Sequence, residues 1–335
     1  MKKVLVTGAN GHLGYNIVRI LAENGYQVRA SVRDVNDAER TKHLQLPGVE
    51  IVQADIMKPE TLAAAMRGME GLFHVAAVYS LTSKDPEKEV KEPIITGSEN
   101  VLQAAKRFGI KKIIYTSSVA AVGTVAQGEA PLTEKQWNER AIEPYAQAKI
   151  ESERRAWEFV RKHGLEMVAI LPSSIIGPGF HRHTPTTLAF ELLLRGQIPI
   201  AVPLTFSFVD VRDVAQAHIL AYENPKASGR YIAADYTCSM SELFALIHEI
   251  NPQIKIPTRV LSSSLLWIVP ALDWVGNKLA GTPRFASRAM ILEYGHRQQL
   301  VSSQRIRTEL GWKPINFKQS VSDTVQWTKS RFIKK

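Results

Sequence analysis

The chain of 335 residues has a single cysteine, Cys238. One thiol excludes a disulfide within the chain and a cysteine-based metal site, and it suits a reducing compartment. Alone, it reads as a small buried apolar residue, not a nucleophile. No tract of biased composition and no fixed-period repeat occurs, which excludes a solenoid or a long disordered arm. No apolar run reaches the ~20 residues of a membrane span. The nearest candidate, from Ser262 to Gly281, is interrupted by Asp273, Asn277 and Lys278. The amino-terminal segment lacks a charged leader followed by an apolar stretch, so a cytoplasmic location is expected. A concentrated basic patch is missing too. Net charge is +10, but the cations fall in short doublets such as Lys111/Lys112 and Arg154/Arg155, without the aromatic spacing of a nucleic-acid reader. The expectation is a solvated basic surface able to attract anionic cofactors. His181-Arg182-His183 has no carboxylate or cysteine close by in sequence. It reads as the polar rim of a loop, and no metal is expected.

What is present is alternation. Short β-branched runs lie at Val4–Val6, Gln27–Val32, Glu50–Gln53, Gly71–Val75, Lys112–Tyr115 and Met167–Leu171. Between them, helical apolar spacing runs over His12–Asn24, Glu89–Phe108 and Tyr145–His163, with Gly25, Gly109 and Gly164 as stops. Strand–helix alternation with short links predicts an α/β fold: a doubly wound, Rossmann-like parallel sheet with its ligand beyond the carboxyl ends of the strands. Beyond Pro172 the pattern loosens. Thr186–Leu194 and Val211–Tyr222 read as helices and Phe206–Val209 as a strand, followed by mostly helical sequence broken by prolines. The expected division is a dinucleotide-binding domain over residues 1–172, with a return segment near 205–235, and a smaller, mostly helical substrate lobe over 173–335.

Two motifs carry chemistry. Thr7-Gly8-Ala9-Asn10-Gly11-His12-Leu13-Gly14 follows a strand and opens a helix. Glycines there let the backbone approach a pyrophosphate seated at the helix N-terminus. The second strand ends at Arg33 and Asp34. A guanidinium at that tip pairs with the 2′-phosphate of NADP, so Arg33, with Arg40 as helper, favours NADP(H) over NAD(H). Asp34 is open to two readings, turned outward or serving a ribose. The second motif is Tyr145 and Lys149, one helical turn apart. Free tyrosine has a pKa of about 10. A neighbouring ammonium is expected to lower it, so that Tyr145 protonates a developing alkoxide. Thr116-Ser117-Ser118 follows the fifth strand. A serine there can bind a substrate oxygen beside Tyr145, while Ser117 reads as a turn or capping residue.

These motifs, with Phe73-His74-Val75-Ala76, Ile176-Gly177-Pro178, Phe208-Val209-Asp210-Val211-Arg212-Asp213 and Glu309-Leu310-Gly311-Trp312, make the chain similar to the extended short-chain dehydrogenases/reductases. It resembles most the branch of dihydroflavonol reductases, cinnamoyl-CoA reductases and 3β-hydroxysteroid dehydrogenases, within the NAD-dependent epimerase/dehydratase superfamily. The resemblance implies that Ser118 orients substrate, Tyr145 is the acid/base, and Lys149 binds ribose and lowers the tyrosine pKa. It also implies that Asp55 and Ile56 contact adenine, that Val75, Ala76 and Ala77 line the nucleotide cleft, and that Pro172 lies near the nicotinamide. The chain departs from the plant enzymes. Gly123 stands where the flavonoid enzymes carry asparagine, Ala141-Ile142-Glu143-Pro144-Tyr145 replaces the cinnamoyl signature, and Ala148 replaces the usual serine. Neither plant substrate is assigned.

The expected function is hydride transfer between NADP(H) and the carbonyl or secondary alcohol of a small, hydrophobic molecule, by a monomer or homodimer. A nucleotide-sugar epimerase or dehydratase with tightly bound NAD is the alternative. A non-catalytic scaffold would usually have lost Tyr145 or Lys149. Specificity is expected in the loops Val78–Lys84, Gly123–Arg140 and Gly179–Thr186. The apolar stretch from Ser262 to Gly281 is expected to wall the substrate pocket with Trp267 facing substrate; peripheral membrane contact is the competing reading.

Overall fold

A computed structural model describes residues 2–80, 83–280, 284 and 286–333. Leu81 and Thr82 of the first specificity loop, and Gly281 at the end of the apolar stretch, lie outside them. The chain order is β1 (Lys3–Thr7), α1 (His12–Glu23), β2 (Gln27–Val32), α2 (Ala38–Thr41), β3 (Val49–Gln53), α3 (Pro59–Met66), β4 (Gly71–His74) and α4 (Glu92–Arg107). Then come β5 (Lys112–Thr116), α5 (Pro144–His163), β6 (Glu166–Pro172), β7 (Ser174–Ile176), α6 (Pro185–Leu194), β8 (Thr205–Asp210), α7 (Val211–Glu223), β9 (Gly229–Ala233) and β10 (Tyr236–Ser239). The last elements are α8 (Met240–Ile250), α9 (Val269–Ala280), α10 (Arg288–Tyr294), α11 (Gln304–Leu310) and α12 (Phe317–Phe332).

Among the described residues, seven strands form one sheet in the order β3-β2-β1-β4-β5-β6-β9, every pair parallel. The order reverses between β1 and β4. Crossovers there leave to opposite faces and open a crevice at the carboxyl ends. Both faces of the sheet are covered, which is why β1 reads as an uninterrupted apolar run: Val4, Leu5 and Val6 are fully buried. α1 turns Leu13, Ile17, Val18 and Leu21 inward, and it packs against α7. Each such side chain contributes roughly 1.5–3 kcal/mol by leaving water. On the other face, α4 and α5 bury Val101, Leu102, Ala156 and Val160.

Three differences from the sequence reading have physical causes. The helix expected from Glu89 begins instead as one wide π-type turn over Glu87–Lys91, before α4 proper. Pro93 has no N–H to give the Glu89 carbonyl, so a regular α-ladder cannot pass through. β7, β9 and β10 were not recognised as strands. β9 holds Arg230 and Tyr231, yet both are buried at the sheet edge. Finally, the segment after residue 300 does not all belong to the second lobe. Ile306, Leu310 and Trp312 pack into the core beside α1 and α7, and the Trp312 indole donates to the Asp213 carbonyl at 2.8 Å.

The second lobe holds the three-stranded sheet β10-β8-β7 and the helices α6, α8 and α12. Its core includes Phe190, Phe208, Phe244 and Val321. No helix among the described residues is long and apolar enough to cross a membrane.

Candidate active site

One cavity of about 1270 Å³ runs from the glycine loop, past α5, into the second lobe. Its first part is a backbone cradle. Gly8 takes a left-handed φ of 67°, and a β-carbon there would lie 2.8 Å from the Ala76 α-carbon. A β-carbon at Gly14 would overlap the carbonyl oxygen of Gly8. The loop is therefore folded hard onto both β4 and α1, which only glycine permits. α1 starts at Gly11 with no side-chain cap. The first N–H groups of the helix thus have no intrahelical partner and face the cavity with the positive end of the helix dipole. An uncapped helix start behind two glycines that admit no side chain fits a dinucleotide pyrophosphate.

Gly8, Asn10, Gly11, His12, Leu13, Gly14, Arg33, Asp55, Ile56, Val75, Ala76, Ala77, Ser118, Tyr145, Lys149 and Pro172 all reach the cavity wall. Thr7 does not. It lies fully buried beneath the loop, where its hydroxyl accepts the N–H groups of Val75 (3.1 Å) and Ala76 (3.2 Å). Its proton must then go to His74 Nδ1 at 2.9 Å, which leaves His74 Nε2–H to donate to Ser98 Oγ at 2.9 Å. Burial holds this imidazole neutral, its pKa lowered to about 3. Thr7 thus positions the cleft floor without contacting its contents.

Arg40 is also off the wall, paired with Asp37 at 2.9 Å on α2. Arg33 is on it, and so is Arg182, a residue expected on a loop rim. Burial lowers the Arg182 pKa, and the neighbouring charges of Arg40 and Arg33 lower it further. Three guanidiniums therefore gather at the end of the cavity beside the turn from β2 to α2. Arg182 sits 149 residues beyond Arg33 in chain order, so no local signal could have paired them. Asp34 turns outward, accepting the Asn36 N–H at 2.9 Å. His181 packs on His43, their rings 4.5 Å apart. His183 does have a carboxylate partner, contrary to the loop reading: Glu191 lies 2.7 Å away, at the seventh residue of α6.

At the other end, α5 presents Tyr145 and Lys149 on one face. The Lys149 ammonium donates to the Thr116 carbonyl at 2.9 Å and lies 6.0 Å from the Tyr145 ring centroid. Burial lowers its pKa to about 8, opposed by Glu153. The expected depression of the Tyr145 pKa is not found. Burial, then the neighbouring Tyr79, push it above the ordinary value, and the Ser118 hydrogen bond only partly opposes them. Burial outweighs the one hydrogen bond that lowers it, so desolvation wins. The Tyr145 phenol is therefore neutral over the ordinary pH range. Ser118 accepts the Ala120 N–H at 3.1 Å, which leaves its own proton free to donate. Ser117 is not a turn or cap residue: it donates to Glu153 at 2.6 Å, in a buried network with Arg230.

Two wall residues had no sequence signal. Tyr79 packs edge-on against Tyr145, ring centroids 4.8 Å apart. Glu143 caps α5 by accepting the Ala146 N–H at 3.0 Å. Its pKa is raised to about 7 by burial, with Glu293 adding repulsion. Glu293 comes from α10 and accepts the N–H groups of Ile142 (2.9 Å) and Glu143 (2.7 Å), so the second lobe holds the start of α5.

Beyond Tyr145 the cavity becomes an apolar chamber lined by Phe190, Ile198, Leu204, Phe206, Met240 and Leu243, among others. Val269, Leu272 and Gly276 of α9 also line it. Trp267 does not; it is 73% exposed. The expected wall is present, but the expected aromatic faces away. The Gly123–Arg140 loop also misses the cavity. It ties the lobes together instead, through backbone pairing of Val125 with Gln298 and the Asn138 amide donating to Glu293 at 2.9 Å.

Comparison with known proteins agrees with this architecture. Residues 4–234 match the model of the NAD dependent epimerase/dehydratase family. A putative dihydroflavonol 4-reductase of Synechocystis sp. is 34% identical over 333 residues, covering 96% of this chain and 93% of that protein. Cinnamoyl-CoA reductase CAD2 of Medicago truncatula is 33% identical over 270 residues, covering 76% and 83%. The crystal structure of gox2253 superposes with a TM-score of 0.86 at 30% identity, over 100% of both chains. The chain belongs to the NAD-dependent epimerase/dehydratase family and is an NAD(P)-dependent short-chain dehydrogenase/reductase.

Proposed function

We propose that the protein reduces the carbonyl group of a small apolar molecule with NADPH. The observation that carries this reading is the continuity of one cavity from the glycine cradle, past Tyr145, into an apolar chamber. Gly8, Gly11 and Gly14 with the start of α1 hold the pyrophosphate. Arg33 and Arg182, with Arg40 behind them, take the 2′-phosphate, for which a planar fork is suited. Lys149 holds the ribose. Bound NADPH supplies the hydride that reaches the carbonyl carbon.

The remaining work falls to side chains. Ser118 donates to the carbonyl oxygen and fixes its direction. Tyr145 gives its hydroxyl proton to the oxygen as negative charge develops there. A raised pKa suits this direction, because the phenol stays protonated until an alkoxide takes its proton. Lys149, charged at neutral pH, then stabilises the phenolate. The chamber excludes water and seats the apolar body of the substrate. A nucleotide sugar would have to bury many hydroxyls against a wall that is mostly apolar, and each hydroxyl left without a partner costs roughly 1–3 kcal/mol. That argues against the epimerase alternative.

The test is a panel of apolar aldehydes and ketones, with a nucleotide sugar for contrast, assayed with NADPH and NADH in parallel. The reading predicts turnover of apolar carbonyls with a preference for NADPH. Arg33→Ala and Arg182→Ala should each narrow that preference about tenfold or more, the worth of a charged hydrogen bond. Equal use of the two cofactors would contradict the NADP assignment.

A further inference from the structure

Helix α9 is built inside out. Asp273 is buried, with a carboxylate oxygen 3.1 Å from Arg284 Nε. Several of its apolar residues face out instead: Trp274 is 50% exposed, Val275 41% and Leu279 84%. The preceding turn, Ser263–Ile268, adds Trp267 and Leu265 to the exposed set. Of the eleven large apolar side chains exposed among the described residues, seven lie between Leu265 and Leu292. Scattered apolar residues are ordinary on a monomer, but a gathered set marks a surface with a partner.

Charge identifies the partner. From Lys255 to Arg297 the chain carries six lysines and arginines and two acids, Asp273 and Glu293. Both acids are buried, whereas Lys255, Arg259, Lys278 and Arg288 are exposed. Lys278 extends over the Trp274 ring, 5.9 Å from its centroid. Exposed tryptophan and leucine beside cations alone is the composition of a segment lying in a lipid headgroup layer. A second copy would instead bring like charges together across a two-fold axis. The same helix walls the apolar chamber, and Leu272 belongs both to that wall and to the exposed face. Leu272 therefore joins the chamber wall to the apolar surface.

We propose that the face formed by the Ser263–Ile268 turn and α9 seats the protein on an anionic lipid bilayer, with the mouth of the apolar chamber turned toward the membrane. The substrate then passes between the acyl region and the chamber without crossing water. The docking goes beyond the proposed reduction and does not depend on it, because the docking face contains none of the residues assigned to cofactor or proton transfer; only the route of the substrate rests on that reading.

The experiment is co-sedimentation of the full chain with vesicles of phosphatidylcholine alone, or with about one quarter phosphatidylglycerol. Binding should favour the anionic vesicles and weaken at high salt, where the Debye length shrinks to ~3 Å at 1 M. Lys278→Glu should lower the partition about fivefold or more. The double substitution Trp267→Asp, Leu279→Asp should abolish pelleting while leaving NADPH affinity and the melting temperature unchanged, since both side chains lie outside the cavity. Absence of pelleting, or pelleting that survives the double substitution, would overturn the proposal. So would a dimer in sedimentation velocity that the same substitutions dissolve, because the face would then be an interface between copies.

Discussion

At the scale of single residues, the least expected feature is Glu143. It caps the catalytic helix, touches the cavity wall and lies beside a second carboxylate, Glu293. Its pKa is raised from 4.5 to about 7. A carboxyl whose folded pKa exceeds its unfolded value binds its proton more tightly when folded. Its stabilising contribution is therefore complete below the unfolded pKa and is lost as pH rises toward and through 7. Asp213, also raised to about 7 by burial, acts over the same window and adds to the slope. Glu143→Gln keeps an oxygen for the Ala146 N–H and removes the ionisation. The variant should gain stability over the native protein between pH 5 and pH 8 by on the order of 2 kcal/mol. Urea melts at the two pH values measure this, and an equal difference at both would contradict it. Tyr145 and Lys149 were legible because both sit on one helix at fixed spacing. Glu143 and Arg182 were not, because burial and long-range convergence gave them their roles.

At the scale of elements, the glycine loop shows how a motif becomes a geometry. Its spacing predicts close backbone approach. The fold shows where: Gly8 against Ala76 of the β4 exit, and Gly14 against Gly8 itself. Gly14→Ala would press a methyl group into rigid backbone, not into a side chain able to turn aside. The expected cost is about 1–3 kcal/mol of stability, with nucleotide affinity falling further because the cradle must open. Thermal melts with and without NADPH read both effects; native values for both would remove the packing argument. The parallel strands from β1 to β6 were readable because burial on both faces demands β-branched runs. β9 was not, since Arg230 looks like a surface residue until Glu153, 2.8 Å away, supplies its counter-charge. The first turn before α4 failed for the opposite reason: its composition is helical, and one proline alters the hydrogen-bond ladder.

At the scale of the whole molecule, the two lobes divide the labour. The sheet domain supplies the cradle, Ser118, Tyr145 and Lys149; the second lobe supplies the apolar chamber and, through Glu293, holds the start of α5. Arg182 also comes from beyond β7 and reaches back to the loop, its guanidinium 3.4 Å from the Asn10 carbonyl. The glycine cradle and the apolar chamber are thus both closed by contacts between the lobes. Fold class and cofactor cleft could be read from local patterns, but this division could not, because the chamber residues are dispersed and carry no motif. In the proposed reaction Tyr145 protonates a carbonyl reduced within this shared cavity. Its most direct test is the single-turnover rate of NADPH oxidation by an apolar aldehyde, native protein against Tyr145→Phe, with NADPH affinity measured in both. The account predicts a rate lower by about 10²-fold or more, the range of general acid catalysis, at unchanged NADPH affinity. A near-native rate in Tyr145→Phe would contradict it.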